Sequence, residues 1–368
     1  MAKSFKNELR IKVILLTYEH LILSYRKEST VGDVFHEVCN ALELEERDLF
    51  GLAVLSAENY LFLDPRERLK KINFSYLSLM KACKKNGNPL RSNSAEACLP
   101  GKDSVSITLT IEEYPVVYFR VRFYIPIHCL RDRSTQHIYY EQLRTNVLEY
   151  GLYCDLQSYL HLGGFALQAE YGNAPSNVLT ISESDKFFVP NYFDPGAIYP
   201  QRLIQEYGVE NLLRWTLKEH VALRNMVACT AEFAFIRSAS KHTSDFNLHL
   251  QSLPKMNRNH FSVCLGVSPE GISLYRQPKD AWIWYTSTIR WSEIDHLSHK
   301  DNTFLVHMNE KKVVRKFYLN HSLTAKHLFA MVGHMHQYQA TAELSARHAA
   351  GLLEQIGKSI LLQNSFIL

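Results

Sequence analysis

Three short stretches hold the residue types that catalysis and metal binding use. His128-Cys129 with Arg131 is the nearest approach to a phosphatase loop, where glycine-rich backbone cradles a phosphate beside a cysteine thiolate and an arginine lies further on. Here only Leu130 separates the cysteine from the arginine and no glycine intervenes, so the pair is read as coincidence. His296 with His299, and His334 with His336, are the closest histidine pairs. The second pair falls in a predicted helix, where a spacing of two residues splays the rings apart, and neither pair has an evident third ligand. The chain has no phosphate-binding P-loop, G-x-G-x-x-G, H-E-x-x-H or G-x-S-x-G motif. The expectation is a protein that is not an enzyme and needs no metal or cofactor.

Charge suggests a different chemistry. The 368 residues carry a net charge of +4, too mild for a nucleic-acid binder but compatible with an acidic membrane surface. Basic residues gather in RERLKK (Arg66–Lys71), KACKK (Lys81–Lys85) and KKVVRK (Lys311–Lys316). Each lysine or arginine brought to an anionic leaflet contributes about 1 kcal/mol, so two clusters on one face would hold the protein there transiently; solvated loops that balance charge are the alternative for each cluster alone. Seven scattered cysteines without a C-x-x-C pair suit reduced thiols. The charged start, and the lack of any apolar run of membrane-spanning length, predict an intracellular, soluble chain.

The elements that would position these residues change type along the chain. IKVILLTYEHLILSYR predicts a hairpin turning at Tyr18–His20, Thr30 with Asp33 a capping-box helix start, and DLFGLAVL and NYLFLDP two short strands. Residues 84–104 are polar and broken by Gly and Pro, an expected insertion, followed by a strand over Val105–Ile111. VVYFRVRFYIP alternates Val117, Phe119, Val121 and Phe123 against Arg120 and Arg122, predicting one apolar and one polar face. From Ser134 to about His242 the period becomes helical: four helices and one long loop, Asn173–Tyr207. Seven strands and a helix from Ser322 to about Tyr338 follow, predicting a curved antiparallel sandwich with one closing helix.

In the second of the four helices Asp155 is the expected N-cap, and Gly163-Gly164 interrupts an almost wholly apolar surface. Each glycine costs roughly 1 kcal/mol of helix stability relative to alanine, so a packing gain must offset them, most simply the close approach of a neighbouring helix backbone. Glu170 is expected as a solvated helix end, the alternative being a buried carboxylate held by backbone amides.

DLFGLAVL with FLDP, YFRVRFYIP, YYEQLRTNVLEYGLYC with LGGFALQAEYGN, and FSVCLGVSPEGISLYR with the closing helix together resemble the FERM domain of ezrin-like cytoskeletal adaptors, over about residues 8–340. Within that family FGLAVL, FLDP and GGFALQAEYGN look most like the expanded and willin branch, and the FERM lobes of certain tyrosine phosphatases are similar too. The resemblance implies an α+β, three-lobed cloverleaf. Its lobes would be a ubiquitin-like roll over 8–124, a four-helix acyl-CoA-binding-protein-like lobe over 125–243, and a PH/PTB-like sandwich with its helix over 244–340. Residues 341–368 would form a tail, read as a helix folded back on the third lobe, with a PDZ-type terminus as a lesser addition.

The function implied is a non-enzymatic scaffold at the plasma membrane, cell cortex or junctions. It would bind cytoplasmic tails of membrane proteins, cytoplasmic signalling proteins and acidic phospholipids, and membership of Hippo-type growth-control signalling would go with it. The alternative is the targeting region of a phosphatase or other enzyme whose catalytic domain is absent. By resemblance a phosphoinositide would meet lysines of the first and third lobes. The candidates are Lys70, Lys71, Lys311 and Lys312, while Asp64 and Glu67 depart from the family's lysines. A peptide would add to an open sheet edge beside the closing helix, with Ile294, Leu297, His327, Leu328 and Met331 as candidate groove residues; the competing reading of Leu328 and Met331 is plain core packing.

Overall fold

In the computed structural model, residues 9–56, 59–72, 74, 114–175, 193–241, 244–254, 261–278, 281–310 and 313–341 are described. Chain contacts divide the molecule into two compact units. One is built on residues up to Phe35 with Leu52–Phe119, the other on His36–Gly51 with the chain from Arg120 onward.

The first unit rests on a five-stranded sheet of order β2-β1-β5-β3-β4. β1 (Leu9–Ile14) and β2 (His20–Tyr25) form the expected hairpin, in register from Leu9 opposite Tyr25 to Ile14 opposite His20. Its turn places Tyr18 at φ 64°. β5 (Val116–Val121) runs parallel to β1, pairing Val13 with Val117, while β3 (Phe50–Ser56) and β4 (Asn59–Phe62) are antiparallel. Alternation buries Ile11, Val13, Val117 and Phe119 on one face. Helix α1 (Val31–Ala41) starts on the predicted reciprocal cap: Asp33 N–H donates to Thr30 Oγ1 at 3.2 Å, and Thr30 N–H to the Asp33 carboxylate at 2.7 Å. The predicted insertion and the strand over Val105–Ile111 lie outside the described residues.

The second unit begins with a departure from the alternating pattern of VVYFRVRFYIP. Arg120 is 3% exposed, because the end of β5 is covered on both faces. Helices α2 (Arg133–Glu149), α3 (Leu156–Tyr171), α6 (Val209–Ala222) and α7 (Ala228–Ala239) are the four expected. The span read as one loop also holds two short helices, α4 (Pro195–Ile198) and α5 (Gln201–Tyr207). They are too short to show a period, although Asp194 capping Pro195 is a legible helix start.

Helix α3 is the lobe's centre and packs on α6 and α7. Asp155 caps it, accepting from Ser158 N–H at 2.9 Å. The two glycines have different reasons. A side chain on Gly164 would begin 3.0 Å from Cβ and 3.4 Å from the backbone of Glu219, the expected helix-to-helix approach. Gly163 instead faces the Tyr199 side chain. Glu170 is the exposed helix end that was expected, and there it pairs with the Arg144 guanidinium and accepts from Tyr140 Oη at 3.1 Å rather than from backbone amides.

After the small ladder β6 (Ser240–Lys241) and β7 (Ser244–Asp245), seven strands form two antiparallel sheets. The first, of order β11-β10-β9-β8, comprises β8 (His249–Ser252), β9 (Phe261–Ser268), β10 (Gly271–Pro278) and β11 (Trp284–Arg290). The second, of order β12-β13-β14, comprises β12 (Ile294–Lys300), β13 (Thr303–Met308) and β14 (Val314–Tyr318). Helix α8 covers residues 322–341 and buries Leu328, Val332 and Met335.

A buried polar joint surrounds residues 121–125. Val121 N–H donates to Gln142 and Ile125 N–H to Tyr139 Oη, Asn146 donates to Tyr124 Oη, and Asn247 donates to Ile125 O. Gln339 of α8 donates to Tyr124 O at 2.7 Å, Tyr338 stacks on Phe123, and His249 Nε2 lies 2.9 Å from Arg122 O.

Candidate functional site

Strand β12 forms one end of its sheet. Among the described residues it pairs only with β13, from Ile294 opposite Met308 to Lys300 opposite Thr303, with a bulge after Ile294. Leu297 and His299 lie on the face whose opposite partners, Val306 and Phe304, are wholly buried; His296 and Ser298 take the other face. On that outer face His296 stacks on His307 at 3.8 Å, bonds Asp295, and is therefore locally satisfied.

Helix α8 runs beside this strand in the opposite sense, and two ring pairs fix the fact. The ring of His299 lies 5.0 Å from Phe329, and Trp291, just ahead of β12, stacks on His336 at 5.1 Å and 18°. Trp291 is itself fixed, its indole N–H donating to Pro269 O at 2.9 Å. Phe329, Gly333 and His336 recur at i, i+4 and i+7, so they form one stripe of α8. This stripe faces β12, on which Ile294 is buried and Leu297 half-buried.

The groove candidates read from sequence divide. Ile294 and Leu297 belong to the strand side as expected. Leu328, 2% exposed, is core. His327 and Met331 fall on another stripe, in line with His334 and Tyr338, whose side chains meet Arg122 and Phe123. Burial, with the charge of Lys326, pulls His327 below the ordinary histidine pKa. Phe329, Gly333 and His336, the residues of α8 turned to β12, are not among the candidates; the glycine midway along the predicted helix was the one local signal for this stripe.

The lysine candidates are partly visible. Lys70 and Lys71 are exposed on a single 3-10 turn, Leu69–Lys71, with Asp64 and Glu67 exposed just before it. Lys311, Lys312, Lys81–Lys85 and the tail lie outside the described residues. The histidine and cysteine stretches find structural uses. His334 Nδ1 accepts from the Arg122 guanidinium at 3.1 Å, and burial raises the Cys129 thiol pKa. No group of three potential metal ligands occurs among the described residues.

Three family models match in chain order: the FERM N-terminal domain over residues 13–73, the FERM central domain over 126–250, and the FERM C-terminal PH-like domain over 257–346. The chain belongs to the FERM family. FERM and PDZ domain-containing protein 2 of Mus musculus is 28% identical over 329 residues, 89% of this chain and 21% of the relative. Human tyrosine-protein phosphatase non-receptor type 13 is 23% identical over 340 residues, 92% of this chain and 12% of the relative. Protein expanded of Drosophila melanogaster is 31% identical over 159 residues, 40% of this FERM chain and 9% of the relative. The chain thus spans about a fifth or less of the length of these relatives. Among solved structures, the complex of the FERM and C-terminal domains of Drosophila Merlin superposes with a TM-score of 0.63 at 17% identity, covering 92% of this chain and 98% of that one. The fold is the three-lobed FERM fold.

Proposed function

We propose that this FERM domain is an adaptor that gathers cytoplasmic tails of membrane proteins and cytoplasmic signalling proteins at an acidic membrane surface, at the plasma membrane, cortex or junctions, without catalysis of its own. The observation that carries the reading is the end position of β12 alongside α8, since an extended segment can gain backbone hydrogen bonds from a sheet edge while its alternate side chains enter the groove. Lys70 and Lys71, with Lys311 and Lys312, are the residues proposed to meet phosphoinositide headgroups. The partial likeness to expanded supports a place in growth-control signalling.

A second reading makes the chain the targeting region of a tyrosine phosphatase. The observation behind it is that human non-receptor types 13 and 14 match over 92% and 90% of this chain, which spans only 12% and 24% of them. Hydrogen exchange with tail peptides tests the adaptor: slowed exchange over 294–300 is expected, and slowing elsewhere alone removes the groove. An immunoblot with antibody to this chain tests the second reading, which requires a much larger product carrying phosphatase activity.

A further inference from the structure

We propose that two copies of this chain pair through strand β2, antiparallel and edge to edge, as a reversible symmetric dimer. The end strands of the sheets are not alike. An end strand offers unpaired backbone groups, and proteins protect it by shortness, charge, proline, a bulge or a covering segment. Among the described residues, every end strand but β2 has such a protection. β4 and β8 have four residues each, Pro65 follows β4, and β6 and β7 have two each. β12 carries Asp295 and Lys300, and β14 carries Arg315 and Lys316. β11 has a register shift opposite Leu274 and Tyr275, and Tyr153 covers its start, donating its N–H to Ile283 O at 2.7 Å and stacking on Trp284. The six residues of β2, HLILSY, include no Asp, Glu, Lys, Arg or Pro and all stay in register with β1, and Ile22 is 50% exposed.

The outward backbone groups can be assigned. Leu15 N–H donates to Glu19 O, so Glu19 faces β1; alternation then turns Leu21, Leu23 and Tyr25 to β1 and points the N–H and C=O of His20, Ile22 and Ser24 outward. Two bonds agree with this. Lys12, opposite Ile22, donates its N–H to Pro115 O on the far side of β1, and Arg26 N–H, next in the outward series, goes to Ser29 Oγ. Residues opposite one another in an antiparallel pair share a face, so a two-fold pairing must be centred on a residue rather than between two. Centred on Leu23, it lets Ile22 of each copy exchange backbone bonds with Ser24 of the other.

Charge selects that centre and makes the edge complementary to itself. Glu19 of each copy then stands level with Lys27 of the other, His20 with Arg26 and Tyr18 with Glu28, so the acidic start of one strand meets the basic end of the other twice. Among the described residues neither Glu19 nor Lys27 forms an ion pair; the Glu19 carboxylate accepts from Thr17 Oγ1 at 3.3 Å. Arg10 and Lys12 of β1 lie one strand back from the junction. A six-residue edge buries much less than the roughly 800 Å² per partner of a stable complex, so the pair forms and parts with concentration.

Sedimentation velocity of the full chain over a concentration series tests the proposal: the weight-average mass should rise towards twice that of the monomer. Ser24→Pro, which removes an outward N–H and no bond to β1, should abolish the rise and leave the thermal melt in place. Glu19→Lys and Lys27→Glu, each alone, should weaken self-association by about tenfold, and an equimolar mixture of the two should recover it, because each end then meets its opposite. These charge variants lie outside the strand and carry the test should Ser24→Pro unfold the lobe. A chain that stays monomeric throughout, a rise that a folded Ser24→Pro chain retains, or a mixture no better than its components would overturn the pairing. So would slow amide exchange at Ile22 and Ser24 in the dilute monomer that is lost on deletion of residues 1–8, since the chain's own start would then hold the edge.

Discussion

The hydroxyl of Tyr199 stands where the first carbon of a side chain at Gly163 would have to go, with Tyr199 Cζ 2.7 Å from that point. Tyr199 is 1% exposed, and its hydroxyl is held by Thr216 Oγ1, which bonds onward to Leu212 O. The ring therefore has no free direction to move in, and the glycine is required by a side chain rather than by a helix.

Gly163→Ala is expected to lower unfolding stability by about 1–3 kcal/mol, and Gly164→Ala by less, because the nearest atom to a Cβ there is Glu219 Cβ at 3.0 Å on a partly exposed surface. Urea denaturation measures both. In a double-mutant cycle Tyr199→Phe should recover part of the loss in the Gly163→Ala background and none in the Gly164→Ala background. Equal losses that Tyr199→Phe leaves unchanged would contradict the assignment.

His249 predicts an acid sensitivity. Burial, reinforced by the charge of Arg122, lowers its pKa from 6.5 to about 4, against the opposing bond to Arg122 O. The unfolded chain takes up a proton below pH 6.5 that the folded chain refuses until about pH 4, so stability falls as pH drops through that window, by a total on the order of 3 kcal/mol. His137, raised chiefly by its hydrogen bond to Glu232, acts in the opposite sense: its contribution is present at low pH and lost as pH rises through its raised pKa. His249→Gln should flatten the slope between pH 6.5 and 4 in denaturation curves; an unchanged slope would assign it to other groups.

Asp155→Ala removes the acceptor for Ser158 N–H and for Ser158 Oγ at 2.7 Å. A loss of about 1 kcal/mol is expected, and Asp155→Asn should retain most of it. Thermal melts of the three proteins decide the matter.

Membrane attachment, where it occurs, should respond to Lys70→Glu with Lys71→Glu. Loss of about 1 kcal/mol for each lysine implies a marked fall in sedimentation with phosphoinositide vesicles, and the residual binding of the parent should vanish at high salt. Binding equal to the parent's would remove this turn from the proposal; Lys311→Glu with Lys312→Glu tests the other pair in the same assay.

How far these features were legible depended on how local their causes are. Thr30 with Asp33, and Asp155, announce themselves because a cap is written within four residues. The central placement of α3 was legible from its all-round apolarity. Gly163 and Gly164 signalled close packing, but the identities of their neighbours, Tyr199 for the first and Glu219 for the second, have no local trace. Arg120 was assigned to a polar face because alternation cannot show that a strand end is covered twice. The face that α8 turns to β12 was not legible, because the rotation of the helix about its axis is set by Trp291 and His299: His327 and Met331 were chosen where Phe329, Gly333 and His336 form the facing stripe.

The bond from Gln339 to Tyr124 O has a consequence for how the chain is made, since its two ends are 215 positions apart. The carbonyl at Tyr124 leaves the ribosome long before α8 exists, and so do Phe123, awaiting Tyr338, and Arg122, awaiting His249 and His334. The central joint is therefore closed by the last described helix, and long-range closure of this kind is slow. A nascent chain paused before α8 carries its helical lobe with one wall of the joint bare, a natural substrate for chaperones, and truncations that remove residues 334–339 should be cleared by proteolysis rather than accumulate as shortened chains.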